Sequence, residues 1–298
     1  MPGETGDAMT GVRRIQVIAN PASGSVGPNV RAEAEAILAR HNVEAEIRTT
    51  EDGKLEALIE LALAAKPDLL VVIAGDGTAR AAAEAAGPKG PLVAPLPGGT
   101  MNMLPGALYG DRDWQTALED ILTDGVERRV SGGAVDKHTF YVAAILGSPA
   151  LWAKAREAAR MGRLWLAIQR AREAFRRAFR GRLRYTLDGE AKQKSEALTF
   201  ICPLVSVDLD NDVVGLEAAA LDPQSALDVF RLAISAAAGS WRRDTSVDVT
   251  VCRQALCWAS GQIPAILDGE PVKLDRTAVI RFRPNAFRAL VPKEQTTP

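Results

Sequence analysis

Residues 69–78 read Leu-Leu-Val-Val-Ile-Ala-Gly-Asp-Gly-Thr, and this stretch decides the fold that the chain is expected to adopt. The apolar run has the length of a β-strand and no polar alternation, which is typical of a strand buried on both faces of a parallel sheet. Two glycines then flank Asp76, and an alanine-rich helical segment begins at Ala79. Open α/β sheets bind ligands at the carboxyl ends of their strands. The turn 75–78 is therefore predicted to belong to a ligand site, with an ordinary strand-to-helix turn as the alternative.

Strand and helix signals alternate through the first half of the chain around this strand. Short apolar runs that end in turn residues predict strands, and apolar residues three or four positions apart predict helices. The predicted strands cover 14–19, 43–49, 69–74 and 91–96, and the predicted helices cover 30–40, 55–65, 103–108 and 114–122. Repeated β-α-β units favour a doubly wound parallel sheet with helices on both faces. The fold class is therefore α/β in this half.

Two more turns rich in glycine and small polar residues follow the first and fourth predicted strands, at 20–24 and 97–102. Together with 75–78 they lie at one edge of a parallel sheet, where backbone N–H groups and helix N-termini bind phosphate. Asp76 could hold a metal ion or orient a hydroxyl. The neutral donors at this edge would be Ser23, Thr78, Thr100 and Asn102. Three unrelated glycine turns are the alternative.

Known phosphate-binding motifs of two common nucleotide folds are absent from the sequence. No Walker loop and no G-x-G-x-x-G dinucleotide fingerprint occurs. The predicted site therefore belongs to a different class of phosphate-binding fold.

Composition limits the remaining classes. With 298 residues and 47% hydrophobic composition the chain can form two domain-sized cores. A net charge of −1 gives no general argument for nucleic acid, and none is expected as a partner. Three cysteines without a C-x-x-C pair indicate a reducing, cytoplasmic compartment. The two histidines, His41 and His138, are far apart, which argues against a zinc site or a histidine-based triad.

The domain limits predicted from the sequence are 12–128 for the α/β domain and 129–292 for a second domain. Residues 1–11 are polar and are predicted to form a disordered tail, and residues 293–298 are predicted to form a second tail. A change in composition near 125–133 marks the boundary. Beyond Val135 the short strand-like runs predict an antiparallel, β-rich sandwich domain.

One long helix is predicted inside the second domain, at 151–179. Between 152 and 184 the chain carries eleven basic residues against two acidic ones, among tryptophans and phenylalanines. A basic helix with aromatic residues is attracted to anionic membrane surfaces. The membrane-surface candidates are Arg163, Arg170, Arg176, Arg177 and Arg180. A solvated helix paired with acidic patches is the alternative, and nucleic-acid binding is a weaker third option.

The three turns carry a resemblance to a known family. Asn-Pro-Ala-Ser-Gly at 20–24, Gly-Asp-Gly-Thr at 75–78 and Pro-Gly-Gly-Thr-Met-Asn at 97–102 are similar in order and separation to conserved blocks of the diacylglycerol kinase catalytic family. That family includes bacterial lipid kinases and sphingosine kinases, and NAD kinases are more distant relatives. The resemblance covers about residues 12–110, together with the late block Asp-Gly-Glu at 268–270.

This resemblance implies an ATP-dependent lipid kinase that uses Mg²⁺ and a lipid substrate. It implies Asp76 as the metal or phosphate ligand, Glu270 as the general base with Asp268 nearby, and Thr49 as a residue that assists ATP binding. The implied nucleotide-binding residues are Asn20, Pro21, Ser23, Gly24, Thr49, Gly75, Asp76, Gly77, Thr78, Gly98, Gly99, Thr100 and Asn102. The implied location is the cytoplasm, with peripheral contact at the inner membrane surface.

Several positions depart from the family pattern and keep a second hypothesis open. They are Ala74, Arg80, Ala81, Met103, Val142 and Gln224. A non-catalytic nucleotide- or lipid-binding homologue would tolerate these changes, and a kinase for a soluble hydroxyl acceptor is a further alternative. The sequence does not identify the lipid acceptor or the oligomeric state, although a homodimer could supply acidic partners for the basic helix.

Overall fold

The computed structural model describes residues 12–147, 183–206, 214–221 and 247–293. By their contacts, these residues divide into two compact units. The first unit extends to Ser131 and resumes at Asn285, and the second unit is formed by Gly132–Pro284. The predicted helix 151–179, with its five membrane-surface arginines, lies outside the described residues, as do Gln224 and most of both predicted tails.

The first unit is the parallel α/β domain that the sequence predicts. Its strands and helices are β1 (Ile15–Ala19), α1 (Val30–Arg40), β2 (Ala45–Thr49), α2 (Leu55–Ala64), β3 (Leu69–Ala74), α3 (Asp76–Ala86), β4 (Leu92–Pro97), α4 (Met103–Tyr109) and α5 (Trp114–Asp124). The strands lie in the order β2-β1-β3-β4, and each adjacent pair is parallel.

Burial explains why this sheet forms. All six residues of β3 and all six of β4 are buried, as expected for central strands that are covered on both faces. On the helices, α1 contacts α5, whereas α2 contacts α3 and α3 contacts α4. Ala79, Ala82 and Ala83 of α3 have no exposed surface, so small side chains allow this helix to approach its neighbours closely.

The end of the last strand, β16 (Thr277–Pro292), belongs to the first unit. Ala289 pairs with Val93 of β4 in parallel orientation. The Tyr109 hydroxyl donates a hydrogen bond of 2.8 Å to the Leu290 carbonyl, and both residues are buried. Residues 285–292 therefore group with the first unit, whereas the predicted limit 129–292 assigned them to the second domain. Local sequence patterns do not reveal this pairing, because it joins residues almost 200 positions apart.

The second unit is β-rich. Its strands are the end of β5 (Gly125–Val135), β6 (His138–Phe140), β7 (Ala143–Gly147), β8 (Leu183–Leu187), β9 (Gln193–Ser195), β10 (Ala197–Ile201), β11 (Leu216–Leu221), β12 (Val247–Cys252), β13 (Gln254–Trp258), β14 (Ile263–Leu267), β15 (Glu270–Leu274) and the start of β16. The six strands β12-β11-β10-β7-β14-β15 form one antiparallel sheet.

A second layer completes the sandwich that the sequence predicts. The start of β16 pairs with β13, and β13 pairs with β8, which pairs with β9. Residues of both layers share one apolar cluster, in which Phe140, Phe200 and Ile280 have no exposed surface. The residues 125–133, which the sequence marks as a boundary, lie within the strand β5, and the division between the two units falls after Ser131. Gly132 and Gly133 are required there, because a β-carbon at either position would lie less than 3 Å from atoms of Phe140 or Tyr141.

Candidate nucleotide site and hairpin carboxylates

The three glycine turns of the first unit follow β1, β3 and β4, and the structure brings them into contact. The N–H of Asn20 donates to the Ile73 carbonyl over 2.9 Å, which ties the first turn to the end of β3. The N–H of Ser25 donates to the Gly98 carbonyl over 3.3 Å, which ties the same turn to the one after β4. The three turns therefore form one surface at the carboxyl end of the sheet, where a ligand site is expected.

Glycine is required where these turns touch. A β-carbon on Gly98 would lie 2.8 Å from both the N and the O atoms of Ala74, and one on Gly99 would lie 2.9 Å from the Cα of Gly75. A β-carbon on Gly24 would lie 2.9 Å from the Thr100 hydroxyl oxygen. These glycines allow the turns to pack, a role that the sequence argument did not assign to them.

Asn102 holds the turn after β4 in shape. Its backbone is left-handed, with φ 48° and ψ 45°, and its Oδ1 accepts a hydrogen bond of 2.7 Å from the N–H of Gly99. The Gly99 N–H and the Asn102 side-chain oxygen are thus bonded to each other. Asn102 was predicted as a donor to phosphate, and in this structure its oxygen organises the turn.

Asn20 has a similar role in the first turn. Its Oδ1 accepts a hydrogen bond of 3.1 Å from the N–H of Ala22, and its carbonyl accepts one of 3.0 Å from the N–H of Ser23. These bonds fold residues 20–23 into an Asx turn. The fold places Ser23 beside the middle turn, because its hydroxyl oxygen lies 3.4 Å from the position that a Gly75 β-carbon would take.

Asp76 is the first residue of α3 and is half-buried. Gly75 precedes it in an extended conformation, and the Gly75 carbonyl accepts hydrogen bonds from the N–H groups of Thr78 and Ala79. The first turn of a helix leaves N–H groups without intrahelical partners and carries a partial positive charge. A carboxylate and a set of backbone donors therefore occur together at this point of the surface.

Thr49 ends β2 and lies beside Ala19 in the parallel register, next to the start of the first turn. It is 2% exposed. Its N–H donates to Asp52 over 2.6 Å, and this bond, followed by the charge of Arg31, holds the pKa of Asp52 below its usual value. Thr49 therefore lies at the carboxyl end of the sheet, as the turns do, but its side chain is buried within the unit.

Most positions that depart from the family pattern are accommodated by the described structure. Ala74 is fully buried at the end of β3, directly beneath Gly98. Arg80 and Ala81 follow on α3, and Met103 begins α4. All four residues lie within regular strands or helices of the first unit.

Glu270 and Asp268 belong to the second unit. Asp268 and Gly269 form the two-residue turn between β14 and β15, with φ values of 47° and 84°, and Glu270 is the half-buried first residue of β15. Asp268 is 3% exposed, and its carboxylate accepts hydrogen bonds from three backbone N–H groups. The sequence predicts Asp268 near the base, but the three hydrogen bonds cannot be recognised from the sequence.

The sequence contains a second copy of this motif, which the sequence argument overlooked. Leu-Asp-Gly-Glu occurs at 187–190 as well as at 267–270. The first copy also forms a turn with positive φ at both central residues, 47° at Asp188 and 82° at Gly189. Asp188 and Glu190 are exposed, whereas Asp268 is buried. Position in the fold distinguishes the two copies.

A closed metal centre is not present in the part of the chain that the structure describes. No three histidine, cysteine, aspartate or glutamate side chains cluster there as metal ligands. Asp76 could therefore contribute one oxygen ligand to a metal ion, but it could not hold the ion without other ligands.

Among the residues that the structure describes, no helix combines the length and apolarity needed to cross a membrane.

The first unit also has a cavity of about 630 Å³ at the opposite end of the sheet. Its charged lining residues are Arg14, Lys66, Asp68, Lys89, Glu127 and Arg288. They lie near the amino ends of β1, β3 and β4, where no site was predicted.

Comparison with known proteins identifies a similar domain and a similar fold. Residues 14–135 match the diacylglycerol kinase catalytic domain. The matched region contains all three turns and ends at the last residue of β5. No curated protein matches the chain by sequence.

Two solved structures share the fold. A diacylglycerol kinase from Bacillus anthracis strain Sterne is similar with a TM-score of 0.70 and 16% identity, covering 94% of this chain and 98% of that chain. Yeast NADH kinase complexed with NADH is similar with a TM-score of 0.53 and 11% identity, covering 95% of this chain and 84% of that chain. At these identities the likeness establishes the two-domain fold and nothing about the substrate.

Proposed function

We propose that the chain is an ATP-dependent lipid kinase that transfers the γ-phosphate of ATP to a lipid hydroxyl, with diacylglycerol or a sphingoid-like lipid as the acceptor. The observation that carries this proposal is the contact between the three glycine turns, at the carboxyl end of a sheet in a region that matches the diacylglycerol kinase catalytic domain. Glycine turns of this kind present backbone donors to a polyphosphate at short range.

Binding of ATP would use the turns and the first turn of α3. Backbone N–H groups near Gly75 and the hydroxyls of Ser23, Thr78 and Thr100 would donate to phosphate oxygens. The helix N-terminus adds a favourable partial charge. Asn20 and Asn102 would contribute indirectly, because their side-chain oxygens already hold the turns in shape.

Magnesium would enter the site with the nucleotide. Asp76 and a polyphosphate are both negative, so bringing them together is unfavourable unless a cation lies between them. Mg²⁺ is commonly held by one or two carboxylates together with substrate phosphates, and the single carboxylate of Asp76 fits that arrangement. When bound, the ion would spread the charge that develops on the transferring phosphate.

Glu270 would act as the general base. Its carboxylate would accept the proton of the lipid hydroxyl as that oxygen forms a bond to the γ-phosphorus, while the bond to the β-phosphate oxygen breaks and ADP leaves. Glu190, in the exposed copy of the motif, has no such role and provides a matched control.

The basic segment 152–184 would hold the enzyme at an anionic membrane, where lipid acceptors reside. Sedimentation with vesicles of neutral lipid, with and without anionic lipid, tests this part. Binding that needs anionic lipid and weakens with salt supports it, and equal binding to both vesicles contradicts it.

The central experiment measures transfer of labelled γ-phosphate from ATP, with Mg²⁺, to a total lipid extract in mixed micelles. The variants are Asp76→Asn and Glu270→Gln, with Glu190→Gln as the matched control. A labelled lipid that is lost in the first two variants and kept in the control supports the proposal. Full activity in either of the first two variants contradicts the assigned roles.

A binding protein without catalytic activity is the second candidate, favoured by Arg80, Ala81 and Met103 at positions where the family pattern has other residues. The same experiment distinguishes it. ATP would raise the melting temperature, but no labelled lipid would form. A labelled soluble product in a metabolite extract would instead indicate a soluble hydroxyl acceptor.

A further inference from the structure

Three backbone N–H groups of the second unit share the buried carboxylate of Asp268. The N–H of Tyr141 donates to Oδ2 over 2.8 Å, and the N–H groups of Val142 and Ala143 donate to Oδ1 over 2.9 Å each. The Asp268 N–H in turn donates to the Ala143 carbonyl over 2.9 Å. One side chain thus connects the turn of the β14–β15 hairpin to residues 141–143 on a neighbouring strand and bend.

These donors need such an acceptor because of where they lie. Residues 141 and 142 form a bend between β6 and β7, so they are outside the regular strand pairing. Tyr141 is 2% exposed and Val142 is 6% exposed. Buried N–H groups are almost always hydrogen-bonded, and an ionised carboxylate can accept several bonds at once. The Asp268 carboxylate is the hydrogen-bond acceptor that strand pairing does not provide for the N–H groups of the bend.

Cys202 holds the same bend from another direction. Its N–H donates to the Val142 carbonyl over 2.9 Å, and its thiol donates to the Phe140 carbonyl with an Sγ–O distance of 3.8 Å. Burial, and in second place the Asp268 charge, raise the pKa of the Cys202 thiol. The thiol therefore stays neutral and remains a donor, and the bend is fixed on both sides.

The hairpin transmits this constraint to Glu270. The turn has only two residues, both with positive φ, which is the geometry of a type I′ turn. Glu270 pairs directly with Leu267 across the turn. With so short a connection, fixing the carboxylate and the N–H of Asp268 also fixes the backbone from which the Glu270 side chain extends.

The copy of the motif at 187–190 forms a similar turn, but its aspartate is exposed rather than buried. Asp188 also accepts backbone hydrogen bonds, from Arg253 over 3.0 Å and from Gln254 over 2.8 Å. It is exposed, and the residue after its glycine, Glu190, is exposed as well. Both aspartates hold a hairpin turn, but only Asp268 does so from within the core of the unit.

We propose that Asp268 is the positioning residue of Glu270: its carboxylate fixes the β14–β15 hairpin against residues 141–143 and does not itself take the substrate proton. This inference rests on the proposed function for the role of Glu270. All three bonds require Asp268 as an acceptor, so a neutral amide, which turns one acceptor atom into a donor, would repel at least one N–H group.

The kinetic test compares Asp268→Asn with Asp188→Asn in the full chain, well below the melting temperature of each. We expect kcat to fall about 100-fold in the first variant, as for a displaced catalytic group, and to be unchanged in the second. The KM for ATP should be unchanged in both, because the turns that would bind ATP are in the first unit. A fall of less than about threefold in Asp268→Asn would overturn the proposal.

The pH dependence of kcat separates positioning from proton transfer. Asp268→Asn should keep the rise of kcat on the acid side at a lower amplitude, since the base itself is still present, whereas Glu270→Gln should lose it. If Asp268→Asn also loses that rise, Asp268 is itself the base, and the proposal is wrong.

Amide hydrogen exchange tests the same contact without any kinase activity. In the wild-type chain the amides of 141–143 should exchange as slowly as core strands, and in Asp268→Asn exchange should accelerate there and at 268–271. Rapid exchange at 141–143 in the wild type would overturn the proposal even if the variant does not fold. Protected amides in a chain that phosphorylates nothing would uphold the contact and reject the proposed function instead.

Discussion

The two ends of the parallel sheet in the first unit differ in how they use polar groups. At the carboxyl end, the three turns expose backbone and hydroxyl groups, and Asp76 is the single acidic side chain among the candidate residues. At the amino end, four of the charged residues that line the cavity form two ion pairs. Arg14 bridges Asp68 over 3.2 Å, and Arg288 bridges Glu127 over 2.7 Å.

This difference indicates which end is suited to a polyphosphate. Helix N-termini lie at the carboxyl end and favour anions, whereas the ends of α2 and α3 bring carbonyl groups to the cavity. At the amino end the charges stabilise the fold locally, because each acid already has a basic partner. A large cavity is therefore a weaker indicator of the site here than the three turns are.

The largest expected effect is at the carboxyl end. Gly98→Ala would place a β-carbon 2.8 Å from backbone atoms of Ala74, which cannot move aside as a flexible side chain can. We expect a loss of about 2 kcal/mol in the free energy of unfolding, and ATP binding too weak to detect by calorimetry. Gly106→Ala on α4 is the control, because nothing lies within 4 Å of its β-carbon position. Normal ATP binding by Gly98→Ala would show that the turns do not bind ATP.

A smaller effect is expected at Asn102. Asn102→Ala removes the acceptor for the Gly99 N–H and leaves a residue poorly suited to a φ of 48°. We expect about 1–2 kcal/mol of destabilisation and ATP binding about tenfold weaker. Asn102→Gly restores the backbone freedom without the hydrogen bond. If the ATP affinity of Asn102→Gly equals that of the wild type, the hydrogen bond of the Asn102 side chain is not needed for ATP binding. The left-handed backbone at this position is then the feature that matters.

At the amino end, Arg288→Met should affect stability alone. Arg288 donates to both carboxylate oxygens of Glu127, at 2.9 and 2.7 Å, and to the Gly90 carbonyl at 3.2 Å. Because both side chains are about one-third exposed, solvent screens the pair, and we expect a loss of about 1 kcal/mol. ATP affinity should not change. A weaker affinity would mean that the two ends of the sheet are coupled.

The smallest effect is the acid dependence of the amino end. The Arg288 hydrogen bond lowers the pKa of Glu127, and the Arg14 N–H group is the main cause that lowers the pKa of Asp68. A lowered pKa stabilises the fold at pH values above the unfolded-state pKa, about 4, and this stabilisation is lost as pH falls through the native value. Thermal unfolding of wild type and Glu127→Gln between pH 3 and 7 tests this. The variant should lose less stability than wild type below about pH 4, and parallel curves would contradict the assignment.

Regular elements of the first unit could be predicted from the sequence, because continuous apolar runs such as Leu69–Ala74 specify buried parallel strands. The order of the three turns predicted a shared edge, and the contacts between Ser25 and Gly98 bear that out. The strand β5, which contains Gly132 and Gly133, was not predicted, because the change in composition at 125–133 was interpreted as a domain boundary. The function of these glycines is to admit the rings of Phe140 and Tyr141, which sequence spacing does not reveal.

Side-chain hydrogen bonds to distant or irregular backbone could not be predicted. Nothing in the spacing of Asn102 shows that its oxygen binds Gly99, and nothing near Asp268 shows that its partners lie about 125 residues earlier. The two copies of Leu-Asp-Gly-Glu have the same local preference, and only tertiary packing makes one buried. Local pattern therefore indicated the candidate residues, and tertiary structure shows which contacts Asn102 and Asp268 make.

The return of the last strand to the first unit has a consequence for biosynthesis. Residues 285–293 belong to a unit whose other residues emerge from the ribosome much earlier. Until residues 285–293 are synthesised, β4 lacks the strand that pairs with it on one side. During this interval Tyr109 lacks the Leu290 carbonyl as a partner. Long loop closure of this kind slows folding and leaves a strand edge exposed to other chains. Pairing of the last strand with β4 is then expected to be a late step in the folding of the first unit.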